Sequence, residues 1–286
     1  MTPLRIGGVP EHFNYPWKYA LDEGHFSHHD INLIWKDFPG GTGAMASALK
    51  ADEIDMALLL TEGAVKEIAG GAPFKIVSSY VETPLIWGIH SSKPDYDQKK
   101  LSDYRYAISR FGSGSHLMAY VHAKQHNIQL NDHQMEVVGN ISGARKALAE
   151  GKADLFFWEK FMTKPLVDSG EFHLADQIPT PWPCFMLVAN EKYFYSNKQT
   201  IKLMLKTLHN SLKDLFKIEL LSDKIAEFYD LEINDVKTWL SITKWAEEIK
   251  VEESSLKKVI ESLTETGLLK HKPDIQDLVF DSSCLI

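Results

Sequence analysis

Short apolar runs alternate with helical patterns from the start of this chain, and that rhythm admits few folds. Residues 4–9 read as strand, 17–23 as helix, 31–38 as strand and 44–50 as helix. Residues 55–60 follow as strand, 61–69 as helix and 74–80 as strand. Alternation of this kind implies an α/β fold, with a mainly parallel sheet and helices on its faces. Thr83-Pro84 breaks the pattern before a further apolar run at 85–89. From about Ser91 the rhythm restarts: strand at 105–109, helix at 115–126, strand at 135–138, helix at 142–150, strand at 154–158 and helix at 160–168. The second stretch is therefore an α/β unit of its own, close to the usual domain size.

A Pro-rich passage, Ile178-Pro179-Thr180-Pro181-Trp182-Pro183, precedes one more strong strand at 184–189 and reads as a return crossing. The remainder is helical, at 200–216, 223–229, 234–243 and 253–266. Asn234 is a candidate N-cap and Gly267 a candidate C-cap. The tail from His271 is expected along the surface. No internal repeat is visible.

At 286 residues, 44% of them hydrophobic, the chain can bury a substantial core. A net charge of -8, with only Arg5, Arg105, Arg110 and Arg145 as arginines, excludes a nucleic-acid binder. Cys184 and Cys284 form neither a disulfide framework nor a metal-type spacing. No apolar run reaches membrane-spanning length. The opening residues lack a basic-then-apolar leader, which points to the cytoplasm, or to the periplasm if a leader has been removed.

Ser109-Arg110-Phe111-Gly112-Ser113-Gly114-Ser115-His116 joins the second unit's first strand to a helix. Such a turn offers hydroxyls, backbone N–H groups and the positive end of a helix dipole at one point. Gly and Ser also make ordinary connectors. Both readings stand at this stage.

Several segments together resemble the type II periplasmic-binding-protein-like proteins. Gly8-Val9-Pro10-Glu11-His12-Phe13 opens the first strand–helix loop, and Gly40-Gly41-Thr42-Gly43 precedes a helix. Ala51-Asp52-Glu53-Ile54-Asp55-Met56-Ala57 enters the third strand. Phe111-Gly112-Ser113-Gly114-Ser115 and Ala149-Glu150-Gly151-Lys152-Ala153-Asp154 complete the set. The sequence looks closest to the branch that binds nitrate, alkylsulfonates, taurine and thiamine-pyrimidine precursors.

The resemblance implies two lobes joined by two crossing strands, with a helical C-terminal region. Lobe 1 would comprise 1–90 plus 186–286, and lobe 2 would comprise 91–185. A small-molecule ligand would sit in the cleft between them, with no cofactor and no membrane span. The thiamine-pyrimidine synthases of this family carry a lysine, and four residues on a histidine, at places that fall here on Leu59 and Gly63. Their cysteine cluster falls on Trp182-Pro183-Cys184-Phe185-Met186. Neither set is kept, so a binding protein is expected and no catalytic residue is assigned.

Ligands of open α/β sheets gather outside the carboxyl ends of strands. In the first lobe that rule selects Glu11, His12, Phe13, Asn14, Thr42, Gly43, Thr61 and Glu62. In the second it selects Arg110, Gly112, Ser113, Gly114, Ser115, His116, Asn140, Trp158 and Glu159, with Trp87 and Trp182 on the presumed crossings. Thr42 and Asn140 can equally be helix caps. Glu11, Glu62 and Glu159 outnumber Arg110, and aromatic walls suit flat rings or cations. The expected ligand is therefore a planar heterocycle such as a pyrimidine or thiamine precursor, or an amine. The alternatives are a synthase-like enzyme, or a sulfonate- or nitrate-type anion binder serving an importer. His122 and His126 share a helix face at i,i+4, and His25, His28 and His29 cluster. Without a completing ligand in sequence they read as surface histidines, and no metal site is expected.

Overall fold

The computed structural model describes residues 3–281; Cys184 is buried among them and Cys284 lies outside. Its strands are β1 (Leu4–Gly8), β2 (Leu33–Asp37), β3 (Met56–Leu60), β4 (Phe74–Val81), β5 (Ile86–Ser91), β6 (Tyr106–Ile108), β7 (Met135–Val137), β8 (Leu155–Glu159), β9 (His173–Pro179) and β10 (Phe185–Asn190). Two compact units emerge. One holds the residues up to Thr83, Trp182–Ile260 and those from His271; the other holds Pro84–Pro181 and Glu261–Lys270.

The first unit's sheet has the order β2-β1-β3-β10-β4, and the second's the order β7-β6-β8-β5-β9. In the first, β1 pairs in parallel with β2 and β3, while β10 runs against β3 and β4. In the second, β6 pairs in parallel with β7 and β8, while β5 runs against β8 and β9. Each unit is thus a mixed sheet of four aligned strands and one reversed strand, flanked by helices.

The likeness extends to individual bonds. Arg5 N donates to Asp55 Oδ2 at 2.8 Å, and Asp55 N donates back to the Arg5 carbonyl at 2.8 Å. Arg105 N and Asp154 repeat both bonds at 2.8 Å. Each bracket ties an arginine at the start of one strand, Arg5 inside β1 and Arg105 just before β6, to the aspartate just before β3 or β8. Upstream of each, one residue adopts the left-handed conformation: Asp52 at φ 54° and Gly151 at φ 65°. The correspondence is carried by backbone partners, which is why no repeat is legible as sequence.

Three expectations need revising. Strand β5 is hydrogen-bonded into the second sheet, so the unit boundary falls at Thr83/Pro84 and not at residue 90. Pro84 has no N–H to extend the ladder, and β4 ends before it. Strand β9 was not read from sequence: it is a polar edge strand, His-Leu-Ala-Asp-Gln-Ile-Pro, in which only Ile178 is fully buried. The C-terminal tail does not lie along the surface as a whole, because Leu278 and Phe280 are buried and Phe280 stacks on Phe194 at 3.6 Å.

The helix at Ile233–Ile242 starts from Glu232, two residues ahead of the expected Asn234 cap. Gly267, at φ 72°, does sit just past the helix Glu253–Glu265. Residues 244–250 run beside β4, with Ser79 N bonded to Lys250 O, Ala246 N to Tyr80 O and Glu82 N to Lys244 O. That segment covers what would otherwise be an open sheet edge.

In the second unit, Ala107, Ala144, Ala147, Leu148, Phe156 and Phe172 form a core cluster. Gly143 brings the helix Ile141–Ala149 onto this cluster, since a Cβ there would lie 1.9 Å from the Val138 carbonyl oxygen. Backbone cannot yield as a side-chain tip can. Gly143→Ala is expected to lower unfolding stability by about 2 kcal/mol, read by urea denaturation; an unchanged midpoint would contradict the packing described.

Candidate functional site

In the first unit, the loop after β1, the helix starts after β2 and β3, and the entry to β10 are joined by a chain of contacts. Leu60 N donates to Thr42 Oγ1 at 3.1 Å. Gly63 packs on the same threonine, and a Cβ there would meet Thr42 Cγ2 at 2.4 Å. Thr42 is therefore the second residue of the helix Gly41–Lys50 and not its cap, which is Gly40. Thr61 Oγ1 donates to the Pro183 carbonyl at 2.5 Å, and Thr61 N to the Cys184 carbonyl at 3.0 Å.

Glu62 is buried in the first turn of the helix Thr61–Ala69. Its Oε2 accepts from Trp182 Nε1 at 2.9 Å, and Oε1 has no hydrogen-bond partner among the described residues. Desolvation pushes this carboxyl up to about 7, against smaller lowering effects from backbone and Trp182 hydrogen bonds. Trp182 is only 1% exposed, so it lies within the fold beside Glu62 and does not stand out as a free wall.

Asn14 donates to the Val9 carbonyl at 2.8 Å and pins the loop after β1. The Phe13 carbonyl accepts from Tyr80 Oη at 2.7 Å and Trp245 Nε1 at 3.0 Å, while its ring packs on Phe185 at 5.2 Å. His12 is fully buried, 4.1 Å from the Trp239 ring and 6.3 Å from Tyr229. Burial lowers its pKa to about 3, so the ring is neutral. Glu11 keeps some accessible surface, yet desolvation raises its carboxyl to about 7.

Sequence reading missed Trp239 and Tyr229. They lie in helices read only as packing elements, and nothing in their spacing distinguishes them from ordinary core positions.

In the second unit, the loop after β6 is held largely by its own side chains. Ser113 is the N-cap of the helix Gly114–Gln125, accepting from His116 N at 3.3 Å. Ser115 Oγ lies 3.0 Å from Ser113 Oγ and accepts from Ser109 N at 3.0 Å. Gly112, at φ 74°, donates its N–H to His116 Nδ1 at 2.9 Å, which puts the proton of a neutral His116 on Nε2. Arg110 is half-buried in the same turn. Asn140 caps the helix Ile141–Ala149 through Gly143 N at 3.0 Å.

Glu159, buried at the end of β8, caps the helix Lys160–Asp168 by accepting from Met162 N at 2.7 Å. Trp87 stands opposite it in register on β5. Paired residues share a sheet face, so Trp87 and Glu159 are neighbours. The buried Trp87 Nε1 has no hydrogen-bond partner among the described residues. Trp158 points to the other face, where it packs on the core cluster and stacks with Phe156 at 5.4 Å.

His28 and His29 are exposed as expected, while His25 and His122 are not. His25 Nδ1 pairs with Ser211 Oγ at 2.8 Å. His122, expected at the surface, is 2% exposed, because β9 and the Phe157 ring cover its helix face. Among the described residues no helix is long and apolar enough to cross a membrane.

Residues 86–178 match the family model described as Ca3427-like PBP. No curated protein matches the chain in sequence. In structure, the chain is similar to the CA3427 gene product of Candida albicans, described as defining a family with the generic periplasmic binding protein fold. That likeness has a TM-score of 0.90 and 25% identity, over 98% of this chain and 96% of the other. It is also similar to the alkanesulfonate-binding protein SsuA of Xanthomonas axonopodis pv. citri bound to MOPS, with a TM-score of 0.81 and 16% identity over 98% of each chain. The periplasmic aliphatic sulphonate binding protein SsuA of Escherichia coli gives a TM-score of 0.75 and 17% identity over 98% and 92%.

Proposed function

From its type II periplasmic-binding-protein-like fold, we propose that this chain is a solute-binding protein that takes a small planar or amine-bearing metabolite. The observation that carries this reading is Glu62. A carboxylate buried at a helix start, with one oxygen held by Trp182 and the other without a hydrogen-bond partner among the described residues, is suited to receive a donor. An ammonium, an amidine or a ring N–H is such a donor, and a heterocycle of pyrimidine type carries both a flat face and N–H groups. The second unit carries an acid and an indole of its own in Glu159 and Trp87.

A sulfonate is the second reading. It is favoured by the sulfonate binders among the structural neighbours and by Arg110 in its Gly/Ser turn. Against it, a buried Glu62 that ionises near neutral pH repels an anion. The synthase reading is disfavoured because Leu59 is buried in β3 and Gly63 is closed in by Thr42.

A thermal-shift screen of pyrimidines, thiamine precursors, amines, amino acids and sulfonates separates these readings. A bound solute at one hundred times its Kd should stabilise the chain by about 2.7 kcal/mol, and chromatography should recover it unchanged. Glu62→Gln should remove most of the shift for an amine or ring N–H donor. A shift given only by sulfonates, or one undiminished in Glu62→Gln and Glu159→Gln, would overturn the assignment.

A further inference from the structure

Away from the strand-end groups, the second unit brings together two imidazoles and a carboxylate from distant parts of the chain. His122 lies in the helix Gly114–Gln125, His126 is the residue that ends it, and Asp176 lies on β9. Their donor atoms all lie within 4.8 Å of one another. We propose that His122, His126 and Asp176 form a binding site for a divalent transition-metal ion, with zinc the best-matched.

The i,i+4 spacing places both imidazoles on one helix face, where the rings meet edge to face at 4.7 Å. Asp176 Oδ2 is 3.7 Å from His122 Nε2. The carboxylate is oriented from behind: Gln98 Nε2 donates to Oδ2 at 2.9 Å and Gln177 N to Oδ1 at 2.8 Å. Such outer partners fix ligating carboxylates in metal sites.

His122 supplies the strongest argument. It is 2% exposed, and neither ring nitrogen has a hydrogen-bond partner among the described residues. Buried polar atoms are normally satisfied, and coordination would satisfy one nitrogen. His126 and Asp176 keep partial exposure, giving a route of entry and room for a water as fourth ligand.

Two imidazole nitrogens and one carboxylate match zinc, whereas magnesium and calcium favour oxygen alone. Zinc bonds of roughly 2.0–2.2 Å hold tetrahedral donors about 3.3–3.6 Å apart, so the side chains would draw in by about an ångström. The site is distinct from the solute groups. Asp176 pairs with Ile89, which pairs with Phe157, two residues short of Glu159. That is about 7 Å along the strand. A bound ion would pin the edge strand β9 to the helix Gly114–Gln125.

The test uses the full chain without an affinity tag, stripped by chelator and titrated with zinc chloride by calorimetry and thermal unfolding. One equivalent should bind and raise the melting temperature. His126→Ala and Asp176→Asn, both at partly exposed positions, should each weaken binding at least tenfold while the apo chain remains folded. Cobalt loading should give the visible absorption of a tetrahedral site, and the two variants should lose it. If the wild-type chain takes up no zinc, or if both variants bind as wild type does, the site is not here.

Discussion

Asp55→Ala is expected to cost the chain about 3 kcal/mol of stability, and Asp154→Ala only about 1 kcal/mol, although the two aspartates occupy equivalent places. Both close the bracket between a first and a third strand. The difference lies in burial. The Asp55 side chain is 9% exposed and accepts three bonds from Arg5: from the backbone N–H at 2.8 Å, Nε at 3.0 Å and the guanidinium terminus at 2.7 Å. Removing it leaves the Arg5 guanidinium, itself 37% exposed, without its carboxylate and a backbone N–H without its acceptor, together a loss of about 3 kcal/mol.

Asp154 and Arg105 are 37% and 51% exposed, so water replaces much of what truncation removes. Arg105 also keeps its guanidinium bond to the Gly151 carbonyl. Urea midpoints at constant m-value measure both costs. Equal losses would mean that the bracket contributes by geometry alone.

Glu62→Gln is expected to change how stability depends on pH by on the order of 3 kcal/mol. The Glu62 carboxyl titrates near 4.5 when unfolded and near 7 when folded, because burial disfavours its charge. Between those values the native chain holds a proton that the unfolded chain has released. The stability this group contributes is therefore present below about pH 4.5 and lost as pH rises through about 7.

Three buried histidines act in the opposite sense. His12, His90 and His122, with pKa values lowered to about 3, 4 and 4 by desolvation, are neutral when folded. They favour the native state above pH 6.5 and cease to do so as pH falls. Comparing the glutamine variant with wild type at low and high pH cancels the histidines and isolates Glu62. A difference between the two proteins that does not vary with pH would show that the carboxyl is not desolvated as described. By the same linkage, a cationic amine that replaces the proton should bind more tightly above pH 7 than below it.

The architecture was legible in the sequence because apolar runs and helical periods alternate without ambiguity through residue 80 and again from 105. Strand β9 was not, since an edge strand has few buried positions and shows little alternation. The same omission hid Asp176 from His122 and His126, which lie 50 and more residues away in sequence. Strand-end candidates such as Glu62 and Glu159 could be named from position alone. Their indole partners could not, because Trp182 reaches Glu62 across 120 residues. Asn140 was legible as a cap because that role is local, set by a partner three residues on.

Strand β10 lies between β3 and β4 in the first sheet, although about a hundred residues separate it from them in the chain. The second sheet, by contrast, draws on five consecutive strands, β5 to β9. During synthesis the inserted unit can complete its sheet while the earlier one still has a gap in its middle, because loop closure over a long separation must precede the pairing. Until residue 190 leaves the ribosome, the inner edges of β3 and β4 have no permanent neighbour, and nascent chains at that length are where misassembly of this protein would concentrate.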